Sequence, residues 1–389
     1  LPSIYSPFFL TSYRFSYIII LDGMTMKKVF KYRIYANRLT LSKTEQWLET
    51  CRFLYNLALE QRIKAYKYHR RSISKFEQMR QVTELRHSFP EYQEIYADVL
   101  QNVIKRLDKS YQFFFSRKNG FPRFKKPERY NSLTFRKNGG GWTIKGKYIV
   151  VPRLGKFKIK LSRPIEGEIK EVIIARKPTG QWFVSFVCDG VKPTILRKNK
   201  KEIGIDMGCE SFLTQSDGVK MENPRFFKKS QDVLAYHQQR LSIKAKGSNR
   251  RKKAKILVAK KYEKIANQRR DFHYKTASKL IKKYGTIYIE KLNGWTTEWR
   301  SLNRSMRDVA WINFISILKV KAESAGRTII EVDPHNTSQT CSQCGERVKK
   351  DLSCRVHSCS CGLVLSRDTN SAINILNLGQ RLRCHSIQN

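Results

Sequence analysis

The sequence predicts an α/β protein made of several structural units, and three observations predict it. Runs that alternate apolar with basic residues mark strands in the first half, and longer stretches with apolar residues at helical spacing mark helices. The second half holds short apolar runs that end in carboxylates, followed by paired cysteines. At 389 residues the chain exceeds one compact core, so about two to four units are expected.

Taken in order, residues 27 to 35 alternate basic and apolar side chains, as a half-buried strand does. Ser42 and Glu45 have the spacing of a capping box. Trp47, Cys51, Leu54 and Ala58 then recur at helical spacing, which carries a helix to about Tyr68. A second helix is expected from about Tyr92 to Phe115, with Ile95, Val99, Val103, Leu107 and Tyr111 on one stripe. Those stripes are core, and only the charged faces remain for function. Gly120-Phe121-Pro122-Arg123-Phe124-Lys125-Lys126 ends this helical unit. Short alternating runs follow at Phe157, Ile159 and Leu161, at Val172 to Ala175, and at Trp182 to Val187 after a Pro178-Thr179-Gly180 turn. They read as a small β-barrel or sheet. Its aromatics suit base stacking and equally suit a β core.

A basic linker, Arg197 to Lys201, leads to Ile203-Gly204-Ile205-Asp206-Met207-Gly208. A strand-like partner lies at Ser211 to Thr214, with a turn at Asp217-Gly218. From about Ser230 to Lys283 two basic helices are expected, broken at Gly247-Ser248-Asn249. Charge of nearly one sign destabilises a lone helix and favours a phosphate backbone alongside.

The whole chain carries 77 Lys and Arg against 32 Asp and Glu, a formal charge of +45. Such self-repulsion calls for a polyanion, and nucleic acid is the expected partner. A membrane surface would ask for a concentrated basic tail or amphipathic anchor, whereas these residues run through the chain, so no membrane is expected. The apolar stretch Phe15 to Leu21 is too short to span a bilayer and has no basic region before it. Residues 1–25 are therefore read as an extraneous extension before the patterned sequence that Met24 or Met26 opens. Of nine cysteines, five fall between Cys341 and Cys361. That clustering indicates local metal binding in a reducing, cytoplasmic setting rather than a disulfide scaffold.

Asp206 ends one apolar run, and Glu290 ends another at Thr286-Ile287-Tyr288-Ile289. Asp368 stands in Arg367-Asp368-Thr369-Asn370, ahead of a helix expected over Ser371 to Leu378. Singly they are a turn residue, a surface acid and a helix cap. Together, at element ends in a chain poor in acid, they point to Mg²⁺. Two ions about 4 Å apart suit phosphodiester hydrolysis. Cys341, Cys344, Cys359 and Cys361 form two knuckles with the spacing of a closed, structural Zn²⁺ site. The second knuckle has one intervening residue rather than two, which leaves Cys354 or His357 as alternative ligands.

These residues resemble a known family, the TnpB or OrfB proteins of insertion-sequence transposons, relatives of the type V CRISPR nucleases. The resemblance covers nearly everything after Met26. It is carried by Lys31-Tyr32-Arg33-Ile34-Tyr35, Gly120 to Lys125, Gly204 to Gly208 and Ile289-Glu290-Lys291-Leu292-Asn293, and by Thr337 to Gly345 and Arg367 to Ile375.

It implies a RuvC-like, RNase H-type nuclease domain with Asp206, Glu290 and Asp368 as its triad and the zinc ribbon inserted before the last acid. It also implies an N-terminal wedge-like β-barrel interrupted by a helical recognition unit. The layout is then a first wedge strand over 26–38, a recognition domain over 39–117, a wedge barrel over 118–195 and nuclease domain over 196–336. A ribbon over 337–365, a final nuclease segment over 366–380 and a tail over 381–389 complete it. The implied activity is RNA-guided cutting of double-stranded DNA, with a guide RNA from the transposon end, at the nucleoid. Two departures stand out: Ser366 occupies a position where many relatives carry a further Asp, and the second knuckle is short. A non-cleaving RNA-guided DNA-binding protein, repressor-like, or a transposase accessory protein is the alternative. All three acids are present, which favours cutting.

Overall fold

The computed structural model describes residues 25–137, 141–291, 308–351 and 354–388, with side chains as far as Cys384. The N-terminal stretch before Thr25 and the Leu292-Asn293 end of one motif lie outside them. The chain forms two compact units, one of residues 25–192 and 231–265, the other of 193–230 and 266 onward.

The first unit opens with β1 (Met26–Tyr35) and continues through α1 (Arg38–His69), α2 (Lys75–Ser88), α3 (Pro90–Gln93) and α4 (Ala97–Phe115). Then come β2 (Ser132–Arg136), β3 (Thr143–Lys145), β4 (Tyr148–Val151), β5 (Gly155–Lys160), β6 (Glu168–Arg176) and β7 (Trp182–Val191). The seven strands make one antiparallel sheet in the order β2-β6-β7-β1-β5-β4-β3. β1 buries Phe30, Tyr32 and Ile34 and turns Lys31, Arg33 and Tyr35 outward, as its alternation requires. Its buried face shares a core with Trp47 and Leu54 of α1 and with Val99, Val103 and Leu107 of α4. Phe135, Phe157 and Phe186 are wholly buried, so the sheet's inward aromatics are core rather than a stacking surface.

Two expectations about the helices need correction, and one helix was not foreseen. Ser42 and Glu45 do not cap α1. The helix starts earlier, at Arg38, and Asn37 is its N-cap, accepting the Thr40 N–H at 2.7 Å. The single helix expected from Tyr92 is two, because the chain leaves helical geometry at Tyr96 and restarts at Ala97. The intervening α2, capped by Ser74, shows too few apolar residues for its periodicity to be read; Gln78 and Val82 alone are buried.

The loop Gly120 to Lys125 is strapped to α1. Asn56 accepts the Lys125 N–H at 2.7 Å and donates back to the Lys125 carbonyl at 3.1 Å.

The second unit contains β8 (Glu202–Asp206), β9 (Ser211–Gln215), β10 (Lys220–Glu222) and the one-turn α5 (Phe226–Lys229). Next in sequence, α6 (Gln231–Ser242) and α7 (Asn249–Lys283) are separated at Gly247-Ser248 as expected. α6, with α7 up to Ile265, groups with the first unit, which differs from the continuous 196–336 domain read from sequence. There follow β11 (Thr286–Glu290), α8 (Trp311–Ala325), β12 (Thr328–Val332), β13 (Val356–Ser358), β14 (Val364–Ser366) and α9 (Arg367–Gln388). The sheet order is β10-β9-β8-β11-β12, with β8, β11 and β12 parallel and β9 and β10 antiparallel.

Parallel strands are buried on both faces, which is why β8 and β11 read as unbroken apolar runs. Ile203, Ile205, Ile287 and Ile289 share one core with Leu280 and Ile281 of α7 and with Phe314 and Leu318 of α8. Tyr288, Ile330 and Val332 pack on the other side with Ile375 of α9. α9 begins four residues before the expected Ser371 and runs well past Leu378. Its Asn- and Thr-rich first turn has no apolar signal to mark it.

Candidate metal centres

Strand alternation places Gly204, Asp206, Tyr288 and Glu290 on the face that α9 covers, opposite the isoleucines. Ile205 pairs with Ile289 in parallel register. Asp206 and Glu290, the next residues, therefore end neighbouring strands side by side. α9 lies directly on β8. A Cβ on Gly204 would come within 2.1 Å of the Ala372 carbonyl and 2.7 Å of the Leu376 N. Asp368 precedes Ala372 by four residues and shares its helix face, so the helix sets it over Asp206, two residues beyond Gly204. Ser366 accepts the Thr369 N–H at 3.2 Å and caps α9. Asp368 is thus not the cap but a first-turn residue.

The electrostatics agree. Asp206 is half-buried as a residue, but its carboxyl is withdrawn from water. Burial, then the charges of Glu290 and Asp368, push it up to about 8, against the opposing pull of Arg367 and the Met207 N–H. Glu290 is also raised, by burial first and by Asp333, while a hydrogen bond from Thr337 opposes this. Carboxylates so arranged resist ionising together unless a cation neutralises them. Their hard oxygen donors and mutual repulsion fit Mg²⁺. Asp333 and Thr337 were not singled out from the sequence. Only the pairing of β12 beside β11, with Glu290 opposite Val332, brings them to this site.

Cys341, Cys344, Cys359 and Cys361 gather with all four sulfurs within 4.8 Å of one another. The Cys341–Cys361 and Cys344–Cys359 sulfurs are 3.7 and 3.5 Å apart. A tetrahedral ion with Zn–S bonds of about 2.3 Å needs sulfurs about 3.8 Å apart, so the cluster fits zinc and closes its shell. Burial opposes ionisation of Cys341, yet the N–H groups of Cys344 and Gln343, with His357, bring it down to about 5. Cys354 stands outside the cluster, its thiol on the Val356 carbonyl. His357 pairs through Nδ1 with Lys350 and is not in the four-sulfur set. The shortened second knuckle therefore supplies both its own cysteines.

Basic and aromatic groups are exposed elsewhere on the surface. Along α7, Lys252, Lys253, Lys260, Lys264 and Arg270 are exposed. At the end of α4, Tyr111, Phe114, Phe115 and Phe121 form a ring cluster, with Phe114 and Phe121 at 5.2 Å and Tyr111 and Phe115 stacked at 6.0 Å. Phe115 is 74% exposed and Phe121 46%. No described helix is long and apolar enough to cross a membrane.

Similarity to known proteins runs along most of the chain. Residues 185–295 match the OrfB_IS605 probable transposase family, residues 311–375 the Cas12f1-like TNB domain, and residues 24–71 an OrfB helix-turn-helix domain. In this structure the last range holds β1 and the uninterrupted α1 rather than two helices. A putative RNA-guided DNA endonuclease of Streptomyces pristinaespiralis is 31% identical over 369 residues, covering 91% of this chain and 90% of its own length. The putative RNA-guided DNA endonuclease InsQ of Escherichia coli K12 is 30% identical over 298 residues, 72% of this chain and 74% of that protein. The chain in a Cas12f1–guide RNA–target DNA complex has a similar fold, with TM-score 0.57 and 13% identity over 91% of this chain and 99% of that one. Matched along nine-tenths of its length, the chain belongs to the OrfB, or TnpB, family.

Proposed function

We propose that the protein is an RNA-guided DNA endonuclease of an insertion-sequence transposon, working at the nucleoid in the cytoplasm, and that it cuts double-stranded DNA at Asp206, Glu290 and Asp368. The observation that carries this reading is the electrostatic coupling of Asp206 to Glu290 and Asp368, both of which raise the cost of charging it. In this reading residues 196–336, apart from the stretch 231–265 that groups with the first unit, and 366–380 make up a RuvC-like, RNase H-type domain, and the cysteines hold one structural zinc. The seven-stranded sheet serves as a wedge barrel, and α1 to α4 serve as the helical recognition unit. The relatives named as RNA-guided DNA endonucleases support guidance.

Two bound Mg²⁺ ions would supply Lewis acidity at the attacking and leaving oxygens of the scissile phosphate. The protein's own contribution is placement. Asp206 would give up its proton on holding a cation, Glu290 is oriented by Thr337, and Asp368 rides on a helix that packs against Gly204. The basic α7 face and the exposed rings at the end of α4 suit phosphate and base contacts, while pairing with the guide selects the sequence.

The test is to sequence the RNA that co-purifies with the protein, then supply a plasmid bearing its complement among varied flanks. Cutting of the matched plasmid in Mg²⁺, with the unmatched one intact, is expected. Cutting that ignores the match, or an RNA-free protein, would overturn guidance.

A further inference from the structure

Glu290 is held from a direction its own strand does not supply. Thr337 Oγ1 lies 2.5 Å from Glu290 Oε1 and 3.2 Å from the Pro334 carbonyl. One hydroxyl proton serves one acceptor, and the shorter distance, that of a bond to a charged oxygen, assigns it to the carboxylate. Thr337 is 4% exposed, so water does not replace it.

The backbone around Thr337 is fastened in turn to α9. Asn374 Nδ2 donates to the carbonyls of Thr337 and Thr340 at 2.8 and 2.6 Å. Asn370 Nδ2 donates to Thr340 O at 2.8 Å, and its Oδ1 accepts the Ser342 N–H at 2.9 Å. Both asparagines are buried. They lie two residues either side of Ala372, and so on the side of α9 away from the sheet. Thr340 and Ser342 flank Cys341. The peptide that carries the first thiol is thus tied to the helix that carries Asp368, and a few residues upstream it holds Glu290.

We propose that Thr337 is a positioning residue for Glu290, and that Asn370 and Asn374 transmit the zinc-dependent fold of the first cysteine knuckle to that hydrogen bond. The ribbon then does more than fold itself: its metal presets a carboxylate of the other centre. This rests on reading the carboxylates as divalent-metal ligands, and the experiment separates the two ideas.

Mn²⁺ serves as the probe, its binding to the full chain with co-purified RNA and zinc being followed by paramagnetic resonance. Thr337→Val should weaken the Asp206-dependent Mn²⁺ site by about 10- to 100-fold, the usual loss on removing a partner of a metal ligand. Thr337→Ser, which keeps the hydroxyl, should stay within about threefold of wild type by the same argument, with the melting temperature of both near wild type. Cys344→Ser should weaken the site in wild type and add little in Thr337→Val, because both act through one bond. Equal affinity in wild type and Thr337→Val, or equal loss in the Val and Ser variants, overturns the positioning role. Additive losses overturn the link to zinc. A wild-type protein with no Mn²⁺ site that Asp206→Ala removes overturns the carboxylate reading itself, and this proposal with it.

Discussion

Asp206 is the residue whose environment demands most. Without metal it keeps its proton to about pH 8, whereas an unfolded Asp titrates near pH 3.9. Between those values the folded chain binds more protons than the unfolded one, so this group's contribution to stability is full below about pH 4 and is lost as pH rises to about 8. Asp206→Asn should therefore raise the melting temperature in Mg²⁺-free buffer at pH 8.5 and leave it nearly unchanged at pH 4. The gain is roughly 1–3 kcal/mol, reduced from the full shift because the residue is half-buried. Thermal unfolding of both proteins at the two pH values checks this, and a gain confined to the acid side would contradict it. Metal binding must displace the same proton, so apparent Mg²⁺ affinity should rise up to about tenfold per pH unit below pH 8 and level off above. That Asp206 and Glu290 end strands was legible in the sequence because both close apolar runs. Thr337 was not, since its neighbours in sequence are the zinc cysteines and its partner is brought to it only by the pairing of β12 with β11.

At the scale of elements, the contact between α9 and β8 builds the site. Gly204 has no room for a side chain, and what it meets is helix backbone, which cannot rotate away. Gly204→Ala should cost about 1–3 kcal/mol of stability and shift Asp368 relative to Asp206. Its melting temperature should fall by several degrees, and its cleavage rate should fall further than stability alone explains. Among the described residues of 337–365 the regular elements are β13 and the start of β14, with few buried side chains, so a metal on the four cysteines is expected to carry this segment's fold. Chelation, or Cys344→Ser, should expose 337–365 to protease while 26–192 stays resistant. Metal analysis finding about one zinc per chain is expected from a closed four-thiolate shell. β1, β5, β6 and β7 were readable from alternation, β8 and β11 from their apolar runs, and the break at Gly247-Ser248 from turn chemistry. The start of α9 and the whole of α2 were not, because polar side chains dominate them and tertiary contacts rather than periodicity stabilise them.

For the whole molecule, the charge of +45 sets how it meets its partners. RNA binding should weaken by about 10³-fold or more between 50 and 200 mM salt, as neutralising several phosphates requires. A filter-binding series over that range reads the slope, and a flat response would deny the basic surface its role. Composition pointed to nucleic acid, and the carboxylates to a metal-dependent nuclease. Guidance by RNA rests on family membership, which no charge count or periodicity contains. The most direct measurement is the rate at which the co-purified ribonucleoprotein cuts a guide-matched plasmid in Mg²⁺, compared with the Asp206→Ala protein carrying the same RNA. A loss of about 10³-fold or more is predicted, since removing a ligand of the reacting ions removes their alignment. Equal cutting by both proteins, or none by either despite a full complement of RNA, would contradict it.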